Sequence, residues 1–215
     1  MLTGIHFLLT YKCNFECDHC FLYCSPHSEG TFTISQVDQV LDEAQKISSI
    51  EWIYFEGGEP FQYYPLLVEC VRRASQKGFQ VGIVTNGYGA LAEEDALLWL
   101  KPLAEAGLAY LSISDDTFHY GDQEITPASI ASAAAKVLGI ESSPICIEPP
   151  QVQESKSADG VKGQTVIGGG ARFRGRAADT LTKGLPLRSW DEMRECPDED
   201  LLTPSRVHVD SFGNI

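Results

Sequence analysis

The sequence predicts an α/β fold built on a parallel sheet. Two observations lead there. Strand-like and helix-like segments alternate through four units before a fifth strand, and that alternation implies right-handed crossovers between parallel neighbours. The residues able to do chemistry also cluster just past the ends of those strands: Cys13 to Cys20, Gly57 to Pro60, Thr85 to Gly87 and Ser114 to Asp116. A doubly wound sheet and a partial (β/α) barrel both fit this pattern, and both put their sites at the C-terminal ends of strands.

Taken in order, residues 2–10 form a short apolar run of strand type that delivers the chain to a cysteine-rich stretch. A helix opens at Thr33, with Gln36 three residues on completing a capping box. Val37, Val40, Leu41, Ala44 and Ile47 recur at helical spacing along it. Residues 52–55 are the second strand and run straight into Glu56-Gly57-Gly58-Glu59-Pro60. Residues 65–76 form a helix with Leu67, Cys70, Val71 and Ala74 inward, stopped by Gly78. The third strand, 80–85, ends in Asn86-Gly87, and residues 93–106 read as a helix bent or interrupted at Pro102. The fourth strand, 108–114, leads into a loop carrying Asp115, Asp116 and His119. Thr126 and Pro127 supply an N-cap and first turn for the next helix. Residues 144–148 are the fifth strand, with Cys146 inside it.

After Pro150 the pattern changes. Residues 151–163 are polar and lack a hydrophobic period, so they read as a loop, and 166–170 as a sixth strand ending in a glycine turn. Arg172, Arg174 and Arg176 make the one basic cluster, suited to a substrate carboxylate or phosphate or else a solvated loop. Val207 and Val209, followed by Gly213-Asn214, read as half of a β-hairpin.

The chain of 215 residues is long enough for one domain, with or without a short appendage. A net charge of -14 argues against a nucleic-acid partner, because phosphate binding needs a basic surface. No apolar run approaches the roughly 20 residues that cross a membrane, and the N-terminus has no secretory signal pattern. Seven cysteines, four of them between positions 13 and 24, do not suit a secreted disulfide framework. A reducing cytoplasm with a metal centre at the crowded thiols is the economical reading. Cys70 and Cys146 read as inert core thiols.

Cys13, Cys17 and Cys20 stand at C-x-x-x-C-x-x-C spacing. Soft thiolates so close together favour zinc or an iron–sulfur cluster. Zinc ribbons pair two C-x-x-C knuckles, and no second knuckle occurs here. Three thiolates on a four-iron cluster leave one iron without a protein ligand, open to a small molecule. Cys24 could serve as a fourth ligand.

This loop, with His19 at an often aromatic position, and Gly57-Gly58-Glu59-Pro60 after the second strand resemble the two signatures of the radical S-adenosylmethionine (radical SAM) superfamily. The resemblance selects a partial (β/α)6 TIM-like barrel with a short irregular C-terminal extension. It implies a radical SAM core over residues 1–170 and an extension over 171–215. With Glu195-Cys196-Pro197 and the hairpin half, that extension is similar to a truncated SPASM segment. The resemblance further implies a 4Fe–4S cluster on Cys13, Cys17 and Cys20, and S-adenosyl-L-methionine bound near Gly57, Gly58, Glu59, Pro60, Asn86, Ser114 and Asp116. His119 is the candidate for moving a proton. Ser112 and Ser114 share a strand face, with Ser114 the better placed.

The implied activity is reductive cleavage of S-adenosylmethionine to a 5′-deoxyadenosyl radical that abstracts hydrogen from a substrate. The electron comes from an external donor of flavodoxin or ferredoxin type. The substrate is a peptide, as for a maturase, or a small molecule. The alternatives are activation of a partner enzyme by a glycyl radical, or a non-catalytic zinc or iron–sulfur module using Cys24 as well. A cluster-free methyltransferase would instead need a glycine-rich loop straight after the first strand.

Overall fold

The computed structural model describes residues 1–154, 165–187, 189–192 and 200–215. The elements run β1 (Gly4–Thr10), α1 (Ile34–Ala44), β2 (Trp52–Gly57), a 3-10 turn (Pro60–Tyr63), α2 (Tyr64–Gln76), β3 (Gln80–Thr85), α3 (Glu93–Ala106) and β4 (Tyr110–Ser114). They continue with α4 (Thr117–Tyr120), α5 (Pro127–Val137), β5 (Glu141–Ile145), β6 (Gln151–Glu154), β7 (Thr165–Gly168), α6 (Arg176–Thr180), a 3-10 turn (Trp190–Glu192) and β8 (Arg206–Asp210).

Six strands form one sheet in the order β5-β4-β3-β2-β1-β8, and every pair in it is parallel. The sheet is open, with β5 and β8 at its edges, so the architecture is a partial barrel and not a closed one. Strand alternation sorts the side chains. Phe7, Phe55, Ile83, Leu111 and Ile113 are buried on the side that packs under the helices. Each such side chain contributes about 1.5–3 kcal/mol by leaving water. His6, Tyr54, Glu56, Val84, Ser112, Ser114 and His208 have the opposite parity and line the inner face.

Helix starts follow the expected chemistry. Thr33 and Gln36 form the capping box of α1, and Thr126 caps α5 through Ser129. Pro102 does not interrupt α3, which packs on α2 and α5 along its buried Leu100 and Leu103. Asp116 caps a short helix, α4, where the sequence suggested a loop.

The C-terminal third departs most from expectation. β5 lies three residues earlier than the apolar pattern placed it. Gly139, at φ 72°, ends α5 and turns the chain at once into the strand. Pro144 is tolerated there because an edge strand need not donate on its free side. Cys146 therefore falls beyond the strand and is exposed instead of buried in the core. The segment 166–170 does not supply the sixth strand of the sheet: β7 pairs antiparallel with β6 in a separate two-stranded ribbon. The sixth strand is β8, read from sequence as half of a hairpin. It pairs parallel with β1, His208 opposite His6. The turn at Gly213-Asn214 does form, with the Asp210 N–H donating to the Asn214 carbonyl at 3.1 Å. Most of the polar stretch after Glu154, and Cys196 with its neighbours, lie outside the described residues.

Candidate active site

The loop after β1 brings the three thiols to one end of the inner face. Its entry is riveted to the turn after β2: the Gly58 N–H donates to the Thr10 carbonyl (2.6 Å) and the Glu59 N–H to the Lys12 carbonyl (2.9 Å). A Cβ on Gly58 would lie 2.1 Å from the Lys12 carbonyl oxygen, and one on Gly57 2.4 Å from that of Thr10. The glycine pair is thus needed first for close packing of two backbones. On the other side Arg176 reaches under the loop. Its Nη1 donates to the Cys17 carbonyl at 3.1 Å and its Nη2 to the Cys24 carbonyl at 2.7 Å. Arg176 therefore braces the thiol loop, a use that the sequence reading of the arginine trio did not include. Gly175 makes the approach possible, since a Cβ there would sit 2.4 Å from the Leu22 carbonyl oxygen.

Burial pushes the Cys13 thiol up to about 11 and the Cys17 thiol up to about 12. A hydrogen bond from Cys24 lowers Cys20 to about 6 and correspondingly raises Cys24. Desolvated thiols this close cannot all ionise unless a cationic centre compensates them. Donors already face Cys13 Sγ, the Phe15 N–H at 3.4 Å and Asn86 Nδ2 at 3.8 Å, as suits a metal-bound sulfur. Among the described residues, ligand trios with all atoms within 4.8 Å of one another occur at His6, Glu56 and His208 and at His19, Asp116 and His119, and not among the thiols. Soft sulfur donors gathered on one loop suit zinc or an iron–sulfur cluster.

A cavity of about 120 Å³ is lined by all three thiols together with Gly57, Gly58, Asn86, Ser114 and His119. It shares His19, Phe21, Glu56, Val84 and Ser114 with a larger cavity of about 500 Å³ on the inner face. Two buried polar atoms of residues lining the smaller cavity, His19 Nδ1 and Asn86 Oδ1, lack any hydrogen-bond partner. Such orphans fit a polar ligand, since buried polar groups otherwise find partners within the protein. The residues present thus suit an iron–sulfur cluster and a polar small molecule beside it.

Three expected site residues stand behind the cavity wall. Glu59 is completely buried, and its carboxylate accepts from the Phe61 N–H (2.9 Å), Thr85 Oγ1 (2.8 Å) and the Asn86 N–H (2.8 Å). Burial raises it to about 7 against these three donors. Pro60 is buried beside it and opens the 3-10 turn. Asp116 accepts from the Phe118 and His119 N–H groups and from His119 Nδ1 at 2.8 Å. Burial pushes Asp116 upward, yet these contacts and the histidine charges hold it below its ordinary value. Glu59, Pro60 and Asp116 shape the wall, and His119 is clamped by Asp116 while facing the cavity. His19 stacks on Phe118 with centroids 4.5 Å apart, and burial lowers its basicity.

The sequence reading missed Glu56, His6 and His208. Their only signal was strand parity, which puts them on the inner face once β8 is known to lie beside β1. Burial favours the neutral form of Glu56, but hydrogen bonds from His208 and His6 outweigh it and hold the carboxyl at about 2.

An open parallel α/β sheet with a cysteine loop at the C-terminal ends of its strands, facing a cavity, defines a metallocofactor-dependent protein. The chain belongs to the Radical SAM superfamily, whose defining pattern matches residues 7–127. Members of that superfamily are enzymes that use a 4Fe–4S cluster, S-adenosylmethionine and a reductant. The chain is 34% identical over 119 residues to the tungsten-containing aldehyde ferredoxin oxidoreductase cofactor-modifying protein of Pyrococcus furiosus, covering 55% of this chain and 32% of that one. It is 30% identical over 87 residues to the S-adenosylmethionine-dependent nucleotide dehydratase of Selenomonas ruminantium, 40% of this chain and 31% of that one. It spans about a third of the length of these curated relatives. The crystal structure of methylornithine synthase superposes with a TM-score of 0.51 at 17% identity, covering 66% of this chain and 44% of that one, a likeness of fold. No helix among the described residues is long and apolar enough to cross a membrane.

Proposed function

We propose that this chain is the catalytic core of a radical SAM enzyme in which Cys13, Cys17 and Cys20 hold the cluster and S-adenosylmethionine occupies the adjoining cavity. The carrying observation is the thiol loop itself: three buried or half-buried cysteines on one loop, with N–H donors aimed at Cys13 and a cavity beside them lined by residues with unpartnered polar atoms. When bound, the cluster and S-adenosylmethionine supply a one-electron reductive cleavage that yields a 5′-deoxyadenosyl radical for hydrogen abstraction.

This chain's own residues do the rest. Gly57, Gly58, Asn86 and Ser114 line the cavity and orient the ligand. Glu59, Pro60 and Asp116 act from behind by fixing Asn86, the glycine turn and His119. Burial of the thiols excludes water from the sulfurs. The substrate, a peptide side chain or a small molecule, enters the cavity of about 500 Å³ on the inner face. An external donor of flavodoxin or ferredoxin type supplies the electron. The six described cysteines are all free, which supports a reducing cytoplasm. The named relatives act on a cofactor and on nucleotides, so their names do not select a substrate here.

The test is anaerobic. Brown protein with about four irons per chain, forming 5′-deoxyadenosine from S-adenosylmethionine with dithionite, is expected, and Cys17→Ala should abolish both. Colourless protein holding stoichiometric zinc after iron supplementation would favour a structural metal module.

A further inference from the structure

We propose that His6, Glu56 and His208 form a second metal site, separate from the cysteine loop, that takes a divalent transition ion such as Zn²⁺. The three residues come from three neighbouring parallel strands. His6 and His208 are register partners on β1 and β8, and Glu56 stands two residues beyond Tyr54, the register partner of His6 on β2. Strand parity sends all three side chains to the inner face.

Glu56 Oε1 lies 3.1 Å from His6 Nδ1 and 2.9 Å from His208 Nε2. Donor atoms about 2.0–2.2 Å from one tetrahedral or octahedral ion are separated by about 3.0–3.5 Å. All three ligand atoms fall within 4.8 Å of one another, so a small side-chain adjustment closes them on an ion. Two imidazole nitrogens and one carboxylate are the donor set of catalytic zinc and of the facial triad that binds divalent iron. The site is also supported from behind. The Tyr54 ring stacks on His6 with centroids 4.6 Å apart, 17° from parallel. Gly82 leaves room for that ring, since a Cβ there would lie 2.2 Å from it. Side-chain exposure of 13% at His6, 11% at Glu56 and 30% at His208 leaves the trio shielded yet open on one side.

That open side faces the cavity of about 500 Å³, which meets the thiol-lined cavity through Glu56 itself. Three protein ligands leave at least one coordination position for an oxygen or nitrogen of whatever occupies the larger cavity. The ion would carry a net charge of +1 after the carboxylate is counted, and would hold a carboxylate, phosphate or carbonyl oxygen of a substrate. This role uses none of the cluster ligands and stands whether or not the radical reading holds.

The probe is Co²⁺ added to the full chain carrying Cys13→Ser, Cys17→Ser, Cys20→Ser and Cys24→Ser, which removes the competing thiols of the loop. One equivalent should bind with weak visible bands of nitrogen and oxygen ligation and no thiolate charge-transfer band. His208→Ala or Glu56→Gln added to that chain should weaken binding at least about 100-fold, since losing a residue that merely supports a ligand already costs about 10–100-fold. No binding at millimolar Co²⁺, a charge-transfer band, or affinity indifferent to both substitutions would overturn the site and leave a hydrogen-bonded trio. If the serine variant is insoluble, the native cluster-loaded chain takes its place. After Zn²⁺ exposure and gel filtration it should retain one zinc that His208→Ala loses, and equal zinc in both proteins would refute the proposal.

Discussion

Replacing Arg176 with methionine tests whether α6 serves the thiol loop. The guanidinium donates to the carbonyls of Cys17 and Cys24, and the side chain is only 13% exposed. A hydrogen bond with one charged partner is worth about 1.5–3 kcal/mol. Losing two therefore costs the closed loop at least about 3 kcal/mol, or about 150-fold in its opening equilibrium. The third partner, Glu16, is 62% exposed at 3.5 Å and adds little. Methionine keeps much of the apolar stem, so packing changes least. The assay is iron release from the reconstituted protein to an anaerobic chelator. Release should accelerate about 100-fold, and the melting temperature should fall with it, because both hydrogen bonds belong to the folded state and Ala177 of α6 is buried. Arg176→Lys, a point charge without the planar fork, should fall between. Iron release within about threefold of the native rate would refute the bracing argument.

Four further outcomes are expected. Glu59 has a native pKa raised from 4.5 to about 7 by burial, so the folded state keeps a proton that the unfolded chain releases. Its contribution is most favourable below pH 4.5 and falls by about 3 kcal/mol as pH climbs to 7, a slope that Glu59→Gln should remove when denaturation midpoints are compared across that window. Glu56, held at about 2, gives the opposite trend at lower pH, stabilising above the unfolded pKa and losing that contribution as acidity increases. That second slope should persist in the melting series of the Glu59→Gln variant. Cys24→Ala should retain four irons and the cleavage activity while Cys20→Ala loses both by iron analysis. Loss of iron in the Cys24 variant would make that thiol a ligand. Gly58→Ala puts a Cβ 2.1 Å from the Lys12 carbonyl oxygen, and thermal denaturation should report a loss of about 1–3 kcal/mol or more.

The first four strands were legible because each carries a short apolar run between recognisable helix signals, whereas β5, Glu-Ser-Ser-Pro-Ile, carries none and was placed three residues late. Thr33 and Thr126 marked their helices correctly. The thiol loop and the glycine turn were equally legible, being contiguous motifs at strand ends. What sequence could not reveal was long-range. Strand parity assigns His6, Tyr54 and Glu56 to a face, but nothing local says that β8 would bring His208 beside them. Arg176 read as a substrate-anion ligand or part of a solvated loop, whereas its partners are backbone carbonyls, which leave no compositional trace. Glu59 and Asp116 were expected to line the ligand site, whereas their carboxylates are buried and bonded to protein donors behind the cavity wall.

The pairing of β8 with β1 joins residues about two hundred positions apart, with Thr3 already bonded to the Ser205 carbonyl. During synthesis the outer edge of β1 therefore waits, unpaired and adhesive, until almost all of this segment has left the ribosome. Such a distant partner makes the last docking event entropically slow, and a bare strand edge invites other chains in the interval. Expression hosts that translate this stretch slowly, or fragments ending before residue 206, should for that reason yield aggregates even though the motifs for cofactor assembly are already complete.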